Sequence, residues 1–380
     1  MTTESEDRRF EVPQGSFDLQ RFPAPEPNLL AWDGADTLLL EWLAEREQPL
    51  VGPICVVNDR FGALALALAA ERPQVWSDSF ITRQGISANA GRNGLSEDAI
   101  TFVPSSSEPE GPLATVLIKV PKSLAELEDQ LSRLRPLLAP GATVVAGGMT
   151  KHIHNSTIEL FDRYIGAATT SLAKRKARLI FASVDESTLD TPPPEPALFE
   201  TREGLEVVGL GPVFSRESID IGTSLLLDAI PKFPAGETIV DLGCGNGVVG
   251  LSVLARSPET SVVFTDESYL AIESARASVT RNSIDETRVS FVVDDCGAGI
   301  PSGSADVVLL NPPFHDRGAR SDEIARRMLV EAKRILKTGG SIYVVGNRHL
   351  GYHNHLKRRF GHSENVKSNS KFTVLRATKR

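Results

Sequence analysis

Four aliphatic residues, Val307 to Leu310, run directly into Asn311, Pro312, Pro313 and Phe314 in the stretch "VVLLNPPFHDRG". A buried strand needs backbone N–H donors that proline lacks, so the ladder has to stop there. The stop leaves a side-chain amide, a carbonyl on a chain of fixed φ and an aromatic ring in succession. Asn311 and the Pro312 carbonyl then form a rigid pair of acceptors, which suits the two hydrogens of one planar –NH2. Such an amine is a poor nucleophile because its lone pair is delocalised. Hydrogen bonds that favour a tetrahedral nitrogen free that pair for in-line attack on an electrophile. No strong base is required, and none is evident in the stretch. Phe314 offers a flat face on which a base can stack, a contact worth about 1–3 kcal/mol.

A second chemical signal is "VDLGCGNG", Val240 to Gly247, which follows one aliphatic run and opens a helical one. Glycines there allow a tight turn and a close approach of backbone N–H groups to a ligand. The dinucleotide spacing G-x-G-x-x-G is not met, because Gly243, Gly245 and Gly247 are spaced by two and Gly250 does not restore the pattern. Asp241, just before the loop, would repel a pyrophosphate and suits a cation. S-adenosylmethionine carries a sulfonium and an ammonium, so it fits better. Asp266, in "VVFTDES", ends the next strand at the spacing from which an acid accepts from ribose hydroxyls. Asp294 and Asp295 end the one after, and either could accept from an adenine amine. No metal is expected: His349, His353 and His355 cluster, but no carboxylate or thiolate lies beside them.

These residues need a scaffold that brings strand ends together. "ETIVDLG", "SVVFTDES", "RVSFVVDD", "ADVVLLN" and "GSIYVVGN" alternate with helical patterns such as "SYLAIESARASVTRN". That alternation predicts an α/β fold, a parallel sheet with helices on both faces and ligands beyond the carboxyl ends of its strands. The first half repeats the pattern. "ICVVNDRFGALALALA" aligns with "IVDLGCGNGVVGLSVLA", Asp78 falls on Asp266 and Asn93 on Asn282. In that copy Asn58 and Arg60 stand for Gly243 and Gly245, while Lys119, Val120 and Pro121 stand for the Asn and the prolines. The pattern predicts a domain-scale duplication whose first member has lost its chemistry, with Lys119 and Lys122 available to phosphates. The expected domains are 1–190 and 204–380, joined by a stiff Pro-rich linker over 191–203.

With 380 residues and 41% hydrophobic content, the chain can bury two cores. Its polar N-terminus lacks the apolar core of a secretory signal and no apolar run is long enough to span a membrane, so the cytoplasm is expected. Cys55, Cys244 and Cys296 are widely separated and read as buried small residues, without a disulfide framework. The net charge is −8, but Ser341 to Arg380 holds nine Lys/Arg against one acid and is therefore +8, which leaves −16 for the rest. Such a basic segment favours phosphate contact, and "LAKRKARLI" near Lys174 is a weaker patch of the same kind.

The set of motifs resembles the class I amino-methyltransferases. "LLAWDGADTLLLEWL", "FSRESIDIGTSLLL", "DLGCGNGVVGL", "FTDES", "NPPFH", "NRHLGYHNHLKRRFG" and "SNSKFTVLRATKR" together resemble the ribosomal RNA guanine-N2 methyltransferases of the RlmG type, relatives of the RsmC type. The resemblance implies two tandem Rossmann-like methyltransferase domains, the N-terminal one degenerate; the lost loop and clamp residues of that copy lead to the expectation that residues 1–190 bind no cofactor and position RNA. It further implies methyl transfer from S-adenosylmethionine to a guanine amine of large-subunit ribosomal RNA. By position, Asp241, Gly243, Gly245, Asp266 and Asp295 would hold the cofactor, and Asn311, Pro312 and Phe314 the target. The acid pair Asp294–Asp295 stands where relatives often have Asn. Adenine-N6 methylation, small-subunit guanine-N2 methylation and glutamine methylation of a protein are compatible with the same Asn-Pro-Pro-aromatic set.

Overall fold

In the computed structural model, residues 9–24, 29–313 and 319–380 are described. The chain divides after Glu195 into two compact units. In the second, seven strands lie in the order Val289–Val293, Ser261–Asp266, Thr238–Leu242, Ala305–Leu310, Leu336–Asn347, Phe372–Thr378, Glu364–Ser368. The first five are parallel, and Phe372–Thr378 runs antiparallel to both of its neighbours. The sheet is therefore mixed. The strand Phe372–Thr378 was hidden in the basic tail because lysines flank it, but its own residues alternate inward and it inserts between two others.

The runs around Ile239 and Val307 are continuously aliphatic because both faces of the sheet are covered. Ile239 and Leu309 point into one core with Leu226, Leu251 and Phe264, whereas Val240, Val308 and Leu310 point into the other with Leu329, Ile335 and Leu356. Thr238–Leu242 sits between two parallel neighbours, so its carboxyl end opens onto the crevice where strand order reverses.

The first unit has the same topology in the order Thr101–Pro104, Gln74–Ser77, Ile54–Val57, Leu113–Lys119, Leu138–Met149, Ala177–Ser183, Ala168–Thr170. The aligned asparagines do the same work. Asn93 Oδ1 accepts from Asp18 N–H at 2.9 Å and its Nδ2 donates to the carbonyls of Asp18 and Asn89. Asn282 Oδ1 accepts from Glu206 N–H at 3.0 Å and its Nδ2 donates to the carbonyls of Glu206 and Ser278. Each ends a helix and ties an outlying strand to it.

Between the units, the linker is not structureless throughout. Its last proline is Pro196, and from Ala197 to Glu200 the chain has donors again and pairs antiparallel with Glu206–Gly209.

Candidate functional site

The glycine loop leaves the strand Thr238–Leu242 and enters the helix Val248–Arg256. Gly243 and Cys244 donate their N–H groups to the Thr265 carbonyl at 2.8 and 3.0 Å, which folds the loop over the neighbouring strand. Gly245 has φ +55°, and a Cβ added there would meet nothing closer than 3.7 Å. Its conformation disfavours a side chain, and the nearest atoms, those of Phe214, lie at ordinary contact distance. Gly247 is closed in: a Cβ would come within 2.7 Å of Ala275. Asn246, which the motif did not single out, is buried and donates to the Ser215 carbonyl at 3.0 Å, clamping the preceding segment.

The acids divide by role. Asp241 is buried, accepts from Gly250 N–H at 2.9 Å, and is pushed up to about 7 by burial. It therefore fixes the first turn of the helix beneath the loop. Asp266 accepts from Gly245 N–H with one oxygen and from Ser268 N–H with the other, both at 3.0 Å, and burial raises its pKa. Asp294 is saturated: Oδ1 accepts from Thr265 Oγ1 and Gly297 N–H, and Oδ2 from Gly299 N–H, all at 2.8 Å. Asp295 is different. Its Oδ2 is paired with Arg327, and its Oδ1 is buried without a partner. A cavity of about 230 Å³ adjoins it, lined also by Ala298, Arg326, Arg327 and Glu331.

Asn311 stands at the end of the strand Ala305–Leu310, whose neighbours on both sides run parallel. Its Nδ2 donates to Thr223 Oγ1 at 2.8 Å and to Asp220 Oδ2 at 3.4 Å. Asp220 caps the helix Ile221–Ala229 through Gly222 N–H and Thr223 N–H, and it also takes the Thr223 hydroxyl proton. The Asn311 Oδ1 is buried with no hydrogen-bond partner. Pro312 is buried beside it. Phe314 lies outside the described residues. The strand Leu336–Asn347 runs parallel to Ala305–Leu310, so Arg348 and the helix Tyr352–Phe360 emerge at the same edge as Asn311. That helix buries Tyr352, Leu356 and Phe360 and exposes His353, Lys357 and Arg358. Other cations of the basic tail are engaged: Lys367 pairs with Asp228, and Lys379 donates to the Leu336 carbonyl.

The equivalent place in the first unit is filled. Val57 faces Ile118 as Leu242 faces Leu310, so Lys119 occupies the position of Asn311. Its Nζ lies 2.7 Å from Asp33 Oδ1 and 2.7 Å from Asp36 Oδ1. The expectation that Lys119 meets phosphates is thus corrected, because its charge is buried and neutralised within the fold. Lys174 and Arg175 are likewise held by Glu41, at 2.7 and 2.8 Å. Asn58 has φ +64°, close to the +72° of Gly243, and its amide bonds Gln130 and the Lys119 carbonyl. The loop conformation survives there, and an amide network occupies its interior.

The described residues contain no group of three or more His, Cys, Asp and Glu side chains able to hold a metal ion. In the second unit, the orphaned oxygens of Asp295 and Asn311 fit a ligand that carries amino donors.

Residues 7–186 match the family described as RLMG N-terminal domain, and residues 204–376 match the Methyltransferase small domain. The chain is 45% identical over 376 residues to the ribosomal RNA large subunit methyltransferase G of Streptomyces avermitilis, covering 97% of this chain and 98% of the relative. It is also 45% identical over 373 residues to the protein of that name from Aeromonas hydrophila, covering 95% and 97%. Among solved structures it is similar in fold to the T. thermophilus 16S rRNA N2 G1207 methyltransferase RsmC, in complex with AdoMet and guanosine. That match has a TM-score of 0.76 at 20% identity, with both chains covered completely.

Proposed function

The chain belongs to the ribosomal RNA large subunit methyltransferase G family, and from that premise we propose that it methylates the exocyclic N2 amine of a guanine in 23S ribosomal RNA, using S-adenosylmethionine. The observation that carries the choice of an amine is Asn311, whose donor side is spent within the protein and whose acceptor is left bare. The target –NH2 donates one hydrogen bond to Asn311 Oδ1 and the other to the Pro312 carbonyl. Its nitrogen is thereby drawn toward tetrahedral geometry, and its lone pair is aimed across the crevice. As the N–C bond forms the S–C bond breaks, leaving S-adenosylhomocysteine, and the extra proton on the methylated nitrogen is released to water.

The bound donor supplies an electrophilic methyl group on its sulfonium. Gly243 and Gly245 admit it to the loop, Asp266 accepts from its ribose, and the free Oδ1 of Asp295 accepts from its adenine amine. Asp294 is assigned no contact with it, because its hydrogen bonds hold its own loop to Gly299 while the adjacent Asp295 has an oxygen without a partner. Asp241 holds the helix turn beneath the loop and biases the site toward a cation. Phe314 stacks on the flipped base. Arg348, Lys357 and Arg358 contact phosphates, and the first unit, residues 1–190, positions the RNA without binding a cofactor. No described helix is long and apolar enough to cross a membrane, and the cytoplasm is the proposed site of action.

The test is tritiated methyl transfer to undermethylated ribosomal RNA followed by nucleoside analysis. N2-methylguanosine from the large-subunit RNA is the expected product. Label in N6-methyladenosine, in small-subunit RNA or in protein would replace this reading with one of its alternatives.

A further inference from the structure

We infer that Asp220 and Thr223 are positioning residues that fix which way round the Asn311 amide faces. The inference rests on the amine-clamp reading above and extends it. An Asn side chain can present either its oxygen or its NH2 to a substrate, and only the oxygen can accept from an amine. Asp220 Oδ2 receives the Thr223 hydroxyl proton, so the Thr223 oxygen is left with lone pairs on its other side. A carboxylate and a hydroxyl spent in this way are both acceptors. Asn311 must turn its NH2 toward them, at 2.8 Å from Thr223 Oγ1 and 3.4 Å from Asp220 Oδ2, and its oxygen away. Thr223 is 4% exposed, so water does not compete for this contact.

The first unit contains the same relay with other residues. Asp33 caps the helix Gly34–Ala44 as Asp220 caps Ile221–Ala229, Asp36 stands three residues on as Thr223 does, and Lys119 occupies the Asn311 position. There too the strand-end residue donates to the helix cap, with Lys119 Nζ at 2.7 Å from each acid. The polarity of the contact is common to both copies. A spare acceptor remains only where the strand end is an amide, since an ammonium has donors alone.

The discriminating variant is Thr223→Val, which keeps the shape and removes the hydroxyl, paired with Thr223→Ser, which restores it. Thr223→Val is expected to lower kcat by about 10- to 100-fold, the cost of a misplaced reacting group. KM for RNA and the affinity for S-adenosylhomocysteine by calorimetry should be unchanged, and Thr223→Ser should return kcat to within about threefold of the parent. Full kcat in Thr223→Val overturns the inference, and so does a parallel loss of cofactor affinity or a failure of Ser to rescue. Asn311→Ala is the control for the reading beneath it. If that variant turns over normally, the amine clamp itself is wrong; if it is inactive while Thr223→Val is not, only the relay is.

Discussion

Lys119→Met should unfold the first unit early without touching RNA binding, and the size of the effect follows from the exposure of the three charges. The Lys119 side chain is 12% exposed and Asp36 6%, while Asp33 is 46% exposed. Removing one partner of a buried pair costs about 3–5 kcal/mol, because the remaining charge stays in a poorly solvated place. A half-exposed partner adds at most about 1 kcal/mol. Asp36 therefore dominates, and a loss of about 3 kcal/mol is expected. With a urea slope of about 2 kcal/mol/M, the midpoint falls by about 1.5 M. Trp32, Trp42 and Trp76 are the three tryptophans of the chain and all precede residue 195, so fluorescence of the full-length protein reports this transition. In the parent, burial would lower the Lys119 ammonium, but the charges of Asp36 and Asp33 more than reverse it, and the pKa is raised. Burial raises Asp36 even with that partner in place. Without it, the folded carboxyl is pushed further above its unfolded value. The deficit should then shrink as pH falls and vanish below about 4, where the carboxyl is protonated in both states. Lys122→Met, at an exposed position, is the control and should be silent in stability. An unchanged midpoint in Lys119→Met, or lost RNA affinity with stability intact, would refute the structural role.

In the second unit, Asp266→Ala should weaken S-adenosylhomocysteine binding in calorimetry by about 10- to 100-fold, since it removes charged hydrogen bonds worth about 1.5–3 kcal/mol and frees Gly245 N–H. Asp295→Ala should lower the same affinity with little change in Tm, whereas Asp294→Ala should lower Tm, because it orphans the Gly297 and Gly299 N–H groups and the Thr265 hydroxyl. Asp241 has a folded pKa near 7, above its unfolded value, so its contribution to stability is present below about 4 and lost as pH rises through 7. Asp241→Asn should flatten that pH dependence in the unfolding transition seen by circular dichroism but not by tryptophan fluorescence. Equilibrium dialysis should give one cofactor per chain, and two would reinstate the first unit as a binding site.

What could be read along the chain was what lies close in sequence. The proline stop after Leu310, the glycine loop and the alternation of strands and helices are local patterns, and Asn93 and Asn282 announced the duplication because each sits at the end of its own helix. The contacts that decide chemistry are not local. Asn311 is 88 residues from Thr223 and 91 from Asp220, and nothing in the spacing of "DIGT" distinguishes an ordinary helix cap from one that also orients an amide. Lys119 was misjudged for the same reason: its partner Asp33 is 86 residues away, and a lone lysine at a strand end reads as exposed. Asp294 and Asp295 are adjacent and of one type, so only the fold could show that one is consumed by its own loop and the other keeps an oxygen bare.

The two copies also show how one topology accepts different residues at the same strand end. The strand end suits a donor, because the helix cap below it presents acceptors, the Thr223 hydroxyl oxygen in one copy and the Asp36 carboxylate in the other. Asn and Lys both meet that demand, so selection for folding alone does not separate them. Likewise, Gly243 and Asn58 both take the left-handed turn that the loop needs, which Asn tolerates better than most residues. What separates the copies is what remains unpaired once folding is satisfied. Asn311 keeps an oxygen without a partner. Lys119 keeps nothing that can accept a proton, and the Asn58 amide closes on Gln130. Lys119→Asn would therefore restore neither binding nor transfer in the first unit: the Asn58 network would still occupy the loop, and Asp36 would lose the cation that offsets its burial.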